Sequence, residues 1–87
     1  MSAGFQVSFN RMVKSESIQL DLLFHALADS TRRAILKAVA KKEKTVSEIA
    51  KPFRISFAAV SKHLKVLESA NLIKRRKAGS FQMVALN

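Results

Sequence analysis

Side chains able to bind an anionic ligand are concentrated between Ser56 and Lys77. The segment ends in four consecutive basic residues at positions 74–77, and such side chains donate charge-assisted hydrogen bonds to phosphate oxygens. The preceding residues 56–70 have the spacing of a helix with one apolar face. An α-helix fits the major groove of DNA, where each base pair shows a distinct pattern of donors and acceptors. These residue types therefore indicate contact with nucleic acid.

The apolar face of segment 56–70 orients its remaining side chains. Val60, Leu64 and Leu67 recur at i, i+4 and i+7, so they are predicted to face the core. A serine at position 56 is predicted to cap the helix, and the amides that follow it point at anions. The residues on the opposite side are short or basic, as a helix that approaches base edges requires. We assign DNA contact to Ser56, Phe57, Ala58, Ser61, Lys62 and Lys65.

The side chains of this reading face suit different features of DNA. Phe57 or Ala58 could contact a thymine methyl group, and Ser61 could donate to a phosphate or a base edge. Lys62 could reach the acceptor atoms of guanine. Few long hydrogen-bonding side chains accompany them. That shortage leaves open a second function, a protein-interaction module that binds an acidic partner or another regulator.

The basic run begins a predicted β-hairpin. Residues 72–76 and 81–86 have strand character, and residues 77–80 are predicted to form the turn because Gly79 tolerates a positive φ. Successive strand residues face opposite sides, so about two of the four basic residues are expected to face DNA unless the hairpin tip lets more converge. A solvated strand edge, where lysines prevent aggregation, is the alternative interpretation. Beside a DNA-contacting helix, we favour phosphate contact by Arg75, Arg76, Lys77 and Ser80.

Two helices are predicted directly before this segment, and a third precedes both. Thr45 and Glu48 match the capping-box pattern at the start of one of them, and Pro52 predicts that this helix is short or distorted. The order of helix, turn of about four residues and helix is the spacing of a helix-turn-helix. Another helix precedes the helix-turn-helix, and Asp29 or Ser30 is predicted to cap its N-terminus.

The first helix is predicted over residues 16–28 and is apolar on two sides. Such a helix needs more than one neighbour, and a second copy of the chain is one such neighbour. Residues 1–14 show no sustained period and are interpreted as a loose N-terminal arm, which leaves residues 15–87 as one domain. We assign dimer contacts to Ile18, Leu20, Leu22, Leu23 and Phe24.

Composition and charge limit the classes of function. The 87 residues carry 16 Lys+Arg and 6 Asp+Glu, a net charge of +10, which draws a folded domain to a polyanion through counterion release. The sequence has no cysteine, no paired carboxylates and no glycine-rich phosphate loop, so we predict neither a disulfide nor an enzyme. It has no apolar run that could span a bilayer and no signal peptide, so we predict a cytoplasmic protein.

The order of these elements resembles the bacterial ArsR-type (ArsR/SmtB-like) winged helix-turn-helix repressors. The resemblance lies in residues 27–36 (LADSTRRAIL), 46–50 (VSEIA), 59–68 (AVSKHLKVLE) and 70–73 (ANLI). It implies a mainly α fold with a small β-hairpin, in which helices are followed by a two-stranded antiparallel wing. It also implies a homodimeric, sequence-specific transcriptional repressor that binds a palindromic promoter site in double-stranded DNA.

The chain departs from the family's metal sensors. Such sensors often carry a Cys pair in the helix corresponding to residues 46–53, which here read VSEIAKPF. Other sensors use a helix after the wing, whereas this sequence ends at Asn87, so residues 16–28 are expected to carry more of the dimer contact. His63 is interpreted as a packed, hydrogen-bonded side chain. We therefore expect the non-metal-sensing variety, with no cofactor, no membrane partner and an unknown inducer.

Overall fold

The computed structural model describes residues 16–87, and the predicted arm at residues 1–14 lies outside them. Within the described range the elements are α1 (16–27), α2 (Ser30–Lys41), β1 (Lys44–Thr45), α3 (Val46–Ala50), α4 (Phe57–Ser69), β2 (Ile73–Ala78) and β3 (Phe81–Leu86). This arrangement is a winged helix-turn-helix, which confirms the predicted fold class. No helix in this part of the chain is long and apolar enough to cross a membrane.

One apolar core joins all four helices to the sheet. The predicted inward stripe of α4 is confirmed, since Val60, Leu64 and Leu67 are completely buried. Burying a side chain of this size stabilises the fold by about 1.5–3 kcal/mol, so α4 is held firmly in one rotational setting. The other core residues are Ala26, Ile35, Val39, Val46, Ile49, Ala70, Ile73 and Val84.

Side-chain caps fix where the helices begin. Asp29, not Ser30, caps α2 by accepting a hydrogen bond from the backbone N–H of Arg32 at 3.0 Å. Thr45 and Glu48 form the predicted capping box of α3, with bonds of 3.1 and 2.9 Å. These caps satisfy amide groups that a helix N-terminus otherwise leaves without a partner.

The turn between α3 and α4 begins beside Pro52, the residue that predicted a short or distorted helix. The α-helical pattern of α3 ends at Ala50, and Lys51–Phe53 form one 3-10 turn with the proline near its start. Arg54 then adopts a left-handed conformation with φ of 52°, which reverses the chain toward α4. This connection places α3 against α4 as a helix-turn-helix.

The C-terminus of α4 carries a Schellman motif that leads into the wing. Asn71 has a φ of 61°, and its N–H donates to the carbonyl oxygen of Glu68 at 3.0 Å. The N–H of Leu72 donates to the carbonyl oxygen of Leu67, also at 3.0 Å. The motif sets the angle at which the wing leaves α4.

The sheet has three strands in the order β1-β3-β2, one more than the two-stranded wing that was expected. β1 pairs antiparallel with β3 through Lys44↔Val84. A strand of two residues shows no alternation, so the sequence pattern could not reveal it.

The wing turn is also shorter than the predicted segment 77–80. Ala78 pairs with Phe81, which leaves Gly79 and Ser80 as a two-residue turn and puts Lys77 in β2. Gly79 has the positive φ, 63°, that such tight hairpin turns require.

Candidate nucleic-acid interface

The outer side of α4 is the exposed surface that the buried stripe leaves to solvent. Ala58, Lys62 and Lys65 recur at i, i+4 and i+7 and are all exposed. Ser56 caps the helix by accepting a hydrogen bond from the N–H of Ala59 at 3.1 Å. The first turn of α4 is therefore rigid, and its small and basic side chains point outward as predicted.

A cleft of about 330 Å³ separates the first half of α4 from the wing. Phe57 and Ser61 line it from the helix, and Arg75 and Ser80 line it from the wing. The structure thus brings together four residues that the sequence analysis assigned to DNA contact. The remaining lining residues are Thr45, Val46, Ser47, Phe81 and Gln82.

Arg75 joins the wing to the recognition helix. Its guanidinium donates to the Glu68 carboxylate of α4 at 3.3 Å, and its side chain is only 16% exposed. Arg75 was predicted to contact phosphate. Here it holds β2 at a fixed position beside α4.

Arg76 lies on the opposite face of the sheet. Since strand residues alternate, Arg75 and Lys77 share the face of the buried Ile73, whereas Arg76 faces the other way. The guanidinium of Arg76 is bound to the carboxylate of Glu43, with an Nε–Oε2 distance of 3.1 Å. Lys77 is exposed, so it is the basic residue of the wing best placed on the helix side of the sheet.

Arg32 is a structural centre that the sequence analysis did not identify. Its Nε donates to the carbonyl oxygen of Ala26 at 2.9 Å and its Nη2 to that of His25 at 2.8 Å. Its Nη1 lies 3.2 Å from Nδ1 of the half-buried His63 on α4. One guanidinium therefore connects the end of α1 to the recognition helix, and the interpretation of His63 as a packed, hydrogen-bonded residue is confirmed.

Arg33 has a related but smaller role. Its Nη1 donates to the carbonyl oxygen of Leu27 at 2.7 Å, at the exposed end of α1. Basic residues near a helix C-terminus satisfy free carbonyl groups. Two arginines, three and four residues after the break at positions 28–29, are the sequence signal for this capping, although the same pattern is also typical of surface charge.

The carboxylates of Asp29 and Glu48, near the starts of α2 and α3, have lowered pKa values. The backbone N–H of Arg32 holds the pKa of Asp29 below its ordinary value, and the positive charge of the Arg32 guanidinium lowers it further. The backbone N–H of Thr45 lowers the pKa of Glu48 in the same way. Both groups are thus held in the charged form as caps. Within residues 16–87 no three acidic or histidine side chains are placed to hold a metal ion.

α1 presents apolar side chains to solvent. Ile18, Leu20, Leu22 and Phe24 are all exposed, Phe24 by 64% of its surface. Leu23, in contrast, is half-buried. Four of the five residues assigned to dimer contact are therefore exposed, with Ile18 and Leu22 on one side of α1 and Leu20 and Phe24 on the other.

The helix-turn-helix and the wing formed by β2 and β3 define the class of winged helix-turn-helix domains. Residues 29–75 match the family described as "Bacterial regulatory protein, arsR family". The chain therefore belongs to the arsR family of bacterial regulatory proteins, and the predicted resemblance is confirmed.

Named relatives and a solved structure agree with this assignment. The HTH-type transcriptional regulator Rv2034 of Mycobacterium tuberculosis is 43% identical over 67 residues, which are 77% of this chain and 63% of that protein. The transcriptional repressor SdpR of Bacillus subtilis is 37% identical over 65 residues, covering 75% of this chain and 72% of the repressor. A homodimeric winged helix-turn-helix DNA-binding domain from Mycobacterium bovis superposes with a TM-score of 0.79 at 27% identity, covering 84% of this chain and 68% of that one. The chain thus spans less than two thirds of the length of Rv2034.

Proposed function

We propose that this protein is a sequence-specific DNA-binding repressor of transcription. One observation carries the proposal: the exposed side of α4 presents Ala58, Lys62 and Lys65 next to a wing that carries the exposed Lys77. An α-helix with short and basic side chains on its outer side can enter the major groove and approach base edges. The net charge of +10 supplies the attraction for the phosphates.

The wing contributes in two ways under this proposal. Lys77 and Ser80 lie at or beside its tip and donate to phosphate oxygens. Arg75 and Arg76 are already bound to Glu68 and Glu43, so a phosphate would have to replace an ion pair. We assign them mainly to positioning the wing.

The proposed repressor acts as a homodimer on a palindromic site. The exposed apolar side chains of α1 support this, because a small domain rarely leaves such a surface uncovered. The Mycobacterium bovis domain of similar fold is described as homodimeric. A two-fold dimer places two copies of α4 on two half-sites, so the operator mirrors the symmetry of the protein.

The proposed regulation needs no metal cofactor. The helix-turn-helix segment 46–53 contains no cysteine that could supply a thiolate, and the 87 residues contain none elsewhere. A DNA-binding regulator of this family would act in the bacterial cytoplasm.

Fluorescence anisotropy with the DNA upstream of the coding region tests DNA recognition. A dimer that neutralises several phosphates per half-site gives a log–log slope of affinity against salt of about −4 to −8.

Lys62→Ala should reduce the preference for the upstream duplex over random DNA. Lys77→Ala should weaken all duplexes alike and make the slope less steep. Lys37→Ala, which removes an exposed lysine from α2, is the charge-matched control and should change neither property. Equal affinity of the parent protein for upstream and random duplexes would refute sequence-specific binding.

Sedimentation velocity tests the dimer separately. Phe24→Glu places a charge on one of the two exposed apolar sides of α1 and should convert a dimer to monomer at micromolar concentration. Phe81→Glu alters an equally exposed phenylalanine on the wing and should leave the dimer intact. Equal dissociation by both variants, or by neither, would contradict the proposed interface.

A further inference from the structure

Large apolar side chains interrupt the basic surface around the α4–wing cleft. Phe57 is 59% exposed on the first turn of α4, and Phe81 is 60% exposed at the start of β3. Both line the same cleft, and Ile55 is exposed just before the helix. Because Phe57 and Phe81 line one cleft, they form a clustered apolar surface, and such clusters mark interaction sites more often than isolated side chains do. Contact with phosphates alone would not involve these apolar side chains.

The polar side chains of α4 offer few ways to read bases. The helix sequence FAAVSKHLKVLES contains no Arg, Asn or Gln, so lysines are the only residues it has of those that form paired hydrogen bonds with guanine or adenine. Lys62 is the basic residue of α4 nearest its N-terminus, and Ser61 is partly buried. Apolar contact must therefore carry a larger share of base recognition here than in a helix with those residues.

Phe57 is held where such contact is possible. It is the first residue of α4, and the N-terminal residues of a recognition helix are those that reach base edges. The cap by Ser56 fixes its backbone, and the small Ala58 beside it allows close approach of the groove. The one apolar group that natural, unmodified DNA displays in the major groove is the methyl group of thymine.

We propose that Phe57 is a specificity-determining residue that selects a thymine in each half-site by contact with its methyl group. This inference rests on the proposed function and deepens it, because it names the base that the first turn of α4 reads. Phe81 lines the other wall of the cleft and does not select a base.

The test uses a duplex selected by this protein from random DNA, with each thymine replaced in turn by deoxyuridine. Deoxyuridine pairs like thymine but lacks the methyl group. One thymine in each half-site should be sensitive, and its replacement should weaken binding about 4-fold, the effect of one buried methyl group. Replacement in both half-sites should weaken binding about 15-fold, since the two contacts are independent.

Two variants assign the effect to a residue. Phe57→Ala should bind the thymine and deoxyuridine duplexes equally, and it should remain folded because alanine favours a helix. Phe81→Ala removes the same amount of exposed apolar surface from the same cleft and should retain the full 4-fold difference.

Each outcome of this test has a separate meaning. If selection yields no preferred duplex, the proposed function itself fails. If a preferred duplex is found but every deoxyuridine replacement is neutral, the proposed function stands and the methyl contact is refuted. If Phe81→Ala, and not Phe57→Ala, abolishes the difference, the assignment to Phe57 is wrong.

Discussion

Replacing Arg32 by alanine should destabilise the fold far more than replacing its neighbour Arg33. Arg32 is half-buried and binds two backbone carbonyls of α1 together with His63 of α4. Arg33 makes one exposed bond to a carbonyl of α1. Both variants remove one positive charge from the same turn of α2, so a difference between them reports the contacts and not the charge.

The expected magnitude follows from the burial of each contact. The bonds to Ala26 and to His63 are partly buried and contribute about 1 kcal/mol each, whereas the exposed bond to His25 contributes about 0.5 kcal/mol. Arg32→Ala should therefore lower the free energy of unfolding by about 2.5 kcal/mol. Because 1 kcal/mol shifts the melting temperature of a small domain by about 4–8 °C, the loss should be about 10–20 °C.

Urea denaturation followed by circular dichroism, at one fixed protein concentration, measures this effect. Arg33→Ala should cost about 0.5 kcal/mol. Arg32→Lys keeps the charge but lacks the planar fork that makes three bonds at once, so it should recover less than half of the lost stability. If Arg32→Ala costs no more than Arg33→Ala, the view of Arg32 as the link between α1 and α4 is wrong.

Three further predictions concern the acidic caps, the wing and the end of α4. The folded-state pKa values of Asp29 and Glu48 lie below their ordinary values, so their contribution to stability is complete above about pH 5 and is lost as the pH falls below about 4. The Asp29→Asn, Glu48→Gln double variant should therefore show a weaker loss of its urea midpoint between pH 7 and 3, and an unchanged pH profile would contradict this. A double-mutant cycle of Arg75→Ala and Glu68→Ala should give a coupling of about 0.5 kcal/mol in unfolding, and zero coupling would remove the positioning role of Arg75. Asn71→Ala should lower stability by about 1 kcal/mol because φ is 61°, while Asn71→Gly should not, and equal losses would argue against the strain.

The helices and their orientation could be predicted because their signals are local. The spacing of Val60, Leu64 and Leu67 alone determined which side of α4 faces the core. The capping box at Thr45 and the interruption at Pro52 each depend on residues within one turn. The same holds for the outer side of α4, which is the complement of its buried stripe.

The partners of the arginines could not be predicted, since they depend on how distant segments pack. Alternation along β2 predicts that Arg75 and Arg76 face opposite sides, but it does not reveal which acid each one meets. Arg76 binds Glu43, 33 residues earlier in the chain, and Arg32 reaches His63, 31 residues later. A sequence pattern shows four neighbouring cations, whereas the fold uses two of them to hold the wing in place.

An NMR titration of the isotope-labelled protein with its selected duplex maps which amides contact DNA, and so tests whether α4 and the wing tip form the recognition surface. We predict that the largest shift changes fall on the first turns of α4, on Lys62 and Lys65, and on the wing tip around Lys77 and Ser80. Amides beside the exposed apolar side chains of α1 should change little, since those side chains are assigned to the dimer. Changes concentrated on α1, with α4 and the wing tip unaffected, would contradict the assignment of the recognition surface.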